Sequence, residues 1–155
     1  MAKTNVVRIL EQNLIAHEVV EYSFTEEEID AISVARKINA EAESVFKTLV
    51  TRGDKNGINV FVIPGNMTLN LKKAAALSSN KNIEMIKEKE LLPLTGYIKG
   101  GCSPIGMKKS FPTYIDETVL LFDKIFVSAG KRGYQIHLSP NDLAKLTDAD
   151  FGDLI

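Results

Sequence analysis

Ten consecutive residues, Gly100-Gly101-Cys102-Ser103-Pro104-Ile105-Gly106-Met107-Lys108-Lys109, hold three glycines, a proline, the only cysteine of the chain and a closing lysine pair. Glycine lets a backbone approach a ligand closely and take φ > 0 at little cost. Pro104 pushes Ser103 toward an extended conformation. Successive bare N–H groups in such a loop can form a concave nest for an anion. The loop is therefore a candidate for gripping an oxyanion or a phosphate.

Lys47 is the second candidate. It interrupts an apolar, β-branched run, with Val45 and Leu49 on the same face. Turned toward a core, its ammonium is costly to desolvate and its pKa falls; the alternative is an exposed sheet surface. Cys102 is a third, because loop amides and the nearby Lys99 and Lys108 can lower a thiol pKa. A nucleophilic cysteine needs a base, however, and the only histidines, His17 and His137, are far away in sequence. A small residue filling the loop is the favoured reading of Cys102. There is no zinc-ligand spacing, Walker-type phosphate loop, dinucleotide fingerprint or GxSxG elbow, so no metal and no cofactor is expected. Lys72-Lys73 and Lys108-Lys109 read as surface lysines or phosphate contacts.

These residues need elements to hold them. Thr4 is placed to cap a first helix with Val7, Leu10 and Leu14 on one face. Residues 17–22 read as a strand. Glu26, Glu27 and Glu28 suit the first turn of a second helix, with Ile29, Ile32, Ala35 and Ile38 as its buried stripe. Residues 45–50 and 58–63 form a hairpin across the Asn56-Gly57 turn. Helices are expected over 71–77 and around 87–92, and strands at 114–116, 125–128 and 134–138. Ser139-Pro140 opens the last helix as N-cap and first helical residue. Helices and hairpins mix without a regular βαβ alternation, which is an α+β arrangement with a mixed or mostly antiparallel sheet.

A chain of 155 residues fits a single domain over 1–155 and buries a core without disulfides or metals. One cysteine and no opening signal sequence point to a cytoplasmic setting, and the apolar runs are too short to span a bilayer. Net charge is −1, but its distribution is uneven. Residues 1–69 carry 7 basic and 10 acidic groups, residues 70–135 carry 11 and 6, and residues 136–155 carry 1 and 4. The basic middle is either a footprint for a polyanion or a solvated lysine face.

Five segments, taken together, resemble the YbaK/EbsC branch of the aminoacyl-tRNA editing-domain superfamily. They are Val45-Phe46-Lys47-Thr48-Leu49, Leu69-Asn70-Leu71-Lys72-Lys73-Ala74-Ala75, Thr95-Gly96-Tyr97, the Gly100–Lys109 loop and Val127-Ser128-Ala129-Gly130-Lys131-Arg132-Gly133. They occur in the family's order and spacing over nearly the whole chain. The resemblance implies a mixed, mostly antiparallel sheet curled into a partly open barrel and flanked by helices. It implies a trans-editing deacylase of mischarged Cys-tRNA(Pro), and of Cys-tRNA(Cys), that binds the tRNA 3′ end and works beside prolyl-tRNA synthetase.

By the same resemblance Lys47, Gly100 and Gly101 carry the reaction, while Tyr22, Thr48, Pro104, Ser128 and His137 bind substrate. His137 stands where relatives carry an acidic residue, which bears on substrate preference. The implied chemistry uses no protein nucleophile: the substrate's own thiol attacks its ester while backbone amides hold the oxyanion. Two alternatives remain at this level. One is water attack on another small aminoacyl-tRNA such as Ala-tRNA(Pro), with His137 as base. The other is a non-catalytic tRNA-binding module of the same fold.

Overall fold

The tight Asn56-Gly57 turn, with Gly57 at φ +79, returns β2 (Phe46–Gly53) antiparallel onto β3 (Gly57–Pro64). This hairpin is the spine of the fold. The computed structural model describes residues 3–155. β4 (Ile83–Met85), β5 (Thr113–Asp116) and β8 (Asp150–Gly152) complete a five-stranded sheet in the order β4-β2-β3-β5-β8. β3–β5 and β5–β8 run parallel. β1 (Glu18–Glu21), β7 (Tyr134–Leu138) and β6 (Ile125–Ser128) form a second, antiparallel sheet. Among the described residues neither sheet closes on itself, and a single parallel bridge, Val45 to Phe126, joins them. The architecture is α+β with a mixed, mostly antiparallel strand set.

Among the described residues five α-helices flank the sheets: α1 (Asn5–Gln12), α2 (Ala31–Lys37), α3 (Leu71–Leu77), α4 (Glu88–Thr95) and α5 (Pro140–Thr147). Side-chain caps set most of their starts. Thr4 Oγ1 accepts from the Val7 N–H, Asn70 Oδ1 from Lys72 and Lys73, and Ser139 Oγ from Asp142. Leu14 is not on the stripe of α1; it lies past the helix end at φ +57 and is 93% exposed. α2 also departs from expectation. The Asp30 carboxylate accepts from both the amide (3.1 Å) and the hydroxyl (2.6 Å) of Ser33, so the helix begins at Ala31. Glu26–Glu28 precede it, and Ile32 is 49% exposed. The buried residues of α2 are Ser33, Val34 and Ala35.

The main core joins Val6, Val7 and Leu10 of α1 to Phe46, Val62, Ile115, Ile125, Val127, Ile136, Leu138 and Leu143. A second cluster packs α3 on Phe61 and Ile63, and a third packs α2 on Val45. Among the described residues no helix is long and apolar enough to cross a membrane.

One feature of the ladder positions the site. β2 pairs with β3 along its whole length but with β4 only over Thr51–Gly53. Residues 46–50 therefore leave an open strand edge facing the second sheet. The Val45 carbonyl accepts from Gly65 in the β3 direction, and the Val50 carbonyl accepts from Ile86 on the opposite side. The alternation of an antiparallel ladder then turns the main-chain groups of Phe46 and Thr48 toward the open edge.

Candidate functional site

A cleft of about 370 Å³ occupies the gap at that edge. Its walls are Val45 with Phe46–Thr48 of β2, Ile29 and Asp30 with Ala31 and Val34 of α2, Ser128 of β6, Gln135 of β7 and the front of the glycine loop. Of the eight residues expected at the site, Lys47, Thr48, Gly100 and Ser128 line it.

Burial pushes the Lys47 ammonium below the ordinary lysine range, and the charge of Asp30 opposes that shift. None of the ion pairs among the described residues involves Lys47. The ammonium thus faces the cleft as a partly desolvated charge without a contact counter-ion. Thr48 Oγ1 is buried with no hydrogen-bond partner. Gln135 is 5% exposed and its Oε1 is also unpartnered. Ser128 sits opposite Gln135 in the β6–β7 register, and its hydroxyl oxygen accepts from the Gly130 amide at 3.1 Å. Buried polar atoms are nearly always paired; these two oxygens are both unpaired and shut off from solvent, so a ligand in the cleft reaches them only after their side chains rotate.

The glycine loop is not one continuous nest. The Gly101 N–H is spent on the Ile98 carbonyl (3.0 Å), that of Ile105 on Ser103 Oγ (3.2 Å) and that of Lys108 on the Thr95 carbonyl (3.1 Å). The Gly100 and Cys102 amides have no acceptor among the described residues. The Gly101 amide is therefore not free to hold an oxyanion, because its proton already closes a turn. Gly100 is confined to glycine by φ +85 and by Ile29, whose Cβ would lie 2.8 Å from an added Cβ.

Three other expected residues lie away from the cleft. Pro104 is buried in the rear of the loop and lines a separate hollow with Ile105, Gly106 and Met107. Tyr22 follows β1, donates its amide to Gly133 (2.8 Å) and packs against the α2 cluster beside an outer groove. His137 stacks on Phe126 with centroids 4.0 Å apart, its Nδ1 3.6 Å from a Glu18 oxygen. The residue of β7 that faces the cleft is Gln135, two positions earlier on the same face. Sequence reading passed over Gln135, together with Asp30, Glu26 and Glu27 at the acidic side of the cleft. Cys102 lines the cleft, but burial pushes its thiol up to about 12. That is the environment of an inert cysteine. Lys73 is bound to Asp153 (2.8 Å) and to the Ile155 carbonyl (2.6 Å), a structural use for one of the lysines considered as a phosphate contact.

The arrangement offers one cation and a free backbone donor, beside two buried side-chain oxygens without partners, with neither histidine of the chain among the residues that line it. Such a cleft can hold a polar ester and stabilise negative charge on it; it lacks an activated nucleophile.

Comparison with known proteins agrees with the geometry. The chain is 49% identical over 152 residues, 98% of its own length and 93% of the relative's, to EbsC of Enterococcus faecalis, named as a Cys-tRNA(Pro)/Cys-tRNA(Cys) deacylase. It is 29% identical over 119 residues to a proline–tRNA ligase of Shouchella clausii, covering 77% of this chain and 21% of the ligase. A crystal structure described as a trans-editing enzyme for prolyl-tRNA synthetase superposes with a TM-score of 0.83 at 28% identity, covering 99% of this chain and 98% of that one. The profile of the aminoacyl-tRNA editing domain matches residues 25–146, and the chain belongs to that family.

Proposed function

We propose that the chain is a free-standing aminoacyl-tRNA deacylase that removes cysteine misloaded on tRNA(Pro), and cysteine from tRNA(Cys) by the same chemistry. What carries the proposal is that one cleft is lined by Lys47, whose ammonium is partly desolvated, by Gly100, whose amide is unengaged, and by Thr48 and Gln135, each with a buried unpartnered oxygen. Residues 1–155 act as one domain in this reading, and its two sheets, hinged at Val45 and Phe126, form the partly open barrel. A cytoplasmic location and recruitment by prolyl-tRNA synthetase belong to the same proposal.

The substrate supplies its own nucleophile. Its side-chain sulfur attacks the ester carbonyl carbon, the S–C bond forms, the C–O bond to the ribose breaks, and the thiol proton ends on the ribose oxygen. The products are a thiolactone and uncharged tRNA. The protein needs only to enforce attack geometry and stabilise the oxyanion. The Gly100 N–H donates to that oxyanion. Lys47 and Thr48 hold a hydroxyl or phosphate of the terminal adenosine. Glu26, Glu27 and Asp30 give the mouth the negative charge that suits the substrate's α-ammonium. The inert Cys102 and the distant His137 have no step to perform, which weighs against water attack with His137 as base.

The test offers purified protein cysteinyl-, alanyl- and seryl-tRNA, with Lys47→Ala as control. Cysteinyl-tRNA is cleaved, and seryl-tRNA, which lacks a thiol, survives. Equal cleavage of all three would replace self-cyclisation with water attack. RNA binding without cleavage of any would leave a non-catalytic module.

A further inference from the structure

Residues Ile98–Gly101 form a β-turn closed by the Gly101 N–H on the Ile98 carbonyl at 3.0 Å. Gly100, its third residue, has φ +85, while Lys99 is not among the positive-φ residues. That combination is a type II turn. Types I and II differ mainly by a flip of the central peptide, here Lys99–Gly100. Glycine accepts either form, so the turn alone does not choose between them.

A contact from another element makes the choice. Arg132, in the turn between β6 and β7, donates its Nε–H to the Lys99 carbonyl at 2.7 Å. Arg132 lines the outer groove and is not a wall of the cleft. The carbonyl is therefore drawn to the outer side. In a planar trans peptide the N–H points the opposite way, so the Gly100 proton faces the cleft side. The two loops touch closely: an added Cβ at Gly100 would sit 3.2 Å from Arg132 Nε, and one at Gly101 would sit 3.2 Å from the Arg132 amide nitrogen. No carboxylate pairs with Arg132 among the described residues.

We propose that Arg132 is a positioning residue that latches the Lys99–Gly100 peptide so that the Gly100 N–H is presented to the reacting ester. The inference rests on the reading of Gly100 as oxyanion donor. The guanidinium does two things through one peptide unit. It blocks the flip to the type I form, and its charge-assisted bond to the carbonyl polarises the amide, making the N–H a stronger donor.

The experiment compares wild type, Arg132→Ala and Arg132→Lys in steady-state deacylation of Cys-tRNA(Pro), and records the Gly100 ¹⁵N–¹H resonance of each. Arg132→Ala loses kcat on the order of 10²-fold, the scale of one oxyanion donor, with KM nearly unchanged. Guanidinium ion added at millimolar concentration restores part of kcat, and the Gly100 resonance shifts. Arg132→Lys keeps more kcat than Arg132→Ala and guards against a variant that fails to fold. A rise in KM with kcat unchanged would assign Arg132 to the RNA backbone and overturn the proposal, as would an unmoved Gly100 resonance in either variant. Should wild type itself leave Cys-tRNA(Pro) intact, the deacylase reading fails, while the Gly100 resonance still decides whether Arg132 sets the peptide.

Discussion

Replacing Lys47 by methionine should make the protein more stable and inactive at once. Methionine keeps the length and apolar stem of lysine and removes the charge. In the free protein that charge is partly desolvated, its pKa pushed down by burial, with only the more distant Asp30 in opposition. A fully buried, unpaired ammonium costs several kcal/mol; Lys47 is half-buried, so solvent screens most of that cost. Relief of about 1 kcal/mol remains, within the range of single stabilising changes, and corresponds to a rise in Tm of roughly 2–4 °C in a chain of this size. The sign with pH follows from linkage. The folded pKa of Lys47 lies below its unfolded value, so the unfolded state binds the extra proton between the two. The penalty on wild type is fully present below the folded pKa and fades as pH rises toward the ordinary lysine value of 10.5. Thermal unfolding of both proteins from pH 7 to pH 10 should therefore show the variant ahead at neutral pH and the gap closing in the alkaline range. Deacylation should fall on the order of 10²- to 10³-fold through loss of the positioning charge. A variant that melts below wild type at neutral pH, or a gap that does not change with pH, would show that the Lys47 charge is compensated in the free protein.

Two further substitutions separate the groups in the cleft. Cys102→Ala should keep most of the activity, and wild-type Cys102 should resist alkylation at pH 7, because a thiol at about 12 leaves a thiolate fraction on the order of 10⁻⁵; a folded but inactive variant would restore covalent catalysis. Gln135→Leu removes an unpartnered buried oxygen and should leave Tm unchanged or higher, while KM for the aminoacyl-tRNA rises; an unchanged KM would mean that this oxygen meets no substrate group.

Much of the fold was legible because local chemistry and tertiary context agreed. Asn70 caps α3, whose range Leu71–Leu77 matches the expected one, and Asn56-Gly57 turns the hairpin as its sequence demands. Disagreement arose where two local signals competed. Glu26–Glu28 suit a helix start, yet Asp30 outcompetes them through its two bonds to Ser33. Glu26 and Glu27 contribute to the cleft wall instead. β4 and β8 are three-residue edge strands with no periodicity to read, since their pairing is decided by neighbours far away in sequence. The site followed the same rule. Lys47 announced itself as a charge in an apolar run. Gln135 did not: a glutamine on an alternating strand looks like a solvated residue until the register sets it opposite Ser128, in a cleft that α2 also lines. His137 shares that face, but stacking on Phe126 carries it out of reach.

The distribution of unmet polar demand is the strongest physical argument for function. Three buried side-chain atoms lack partners among the described residues, and two of them, Thr48 Oγ1 and Gln135 Oε1, belong to residues that line the 370 Å³ cleft. An unpaired buried polar group costs about 1–3 kcal/mol, against a total stability of roughly 5–15 kcal/mol for a domain. Lys47, whose ammonium has no ion-pair partner among the described residues, and Gly100, whose amide is free, line the same cleft. Apolar side chains at 47, 48 and 135 would remove most of this cost without disturbing the ladders, which run through the backbone. Four residues that carry such features, contributed by β2, β7 and the glycine loop, line one cleft, where a polar ligand is the partner that the free protein does not supply. An aminoacyl ester on a terminal adenosine offers hydroxyls, a phosphate, an ammonium and a carbonyl oxygen that becomes an anion. When the amino acid is cysteine, it also brings the one group the cleft lacks, a thiol free to act as nucleophile.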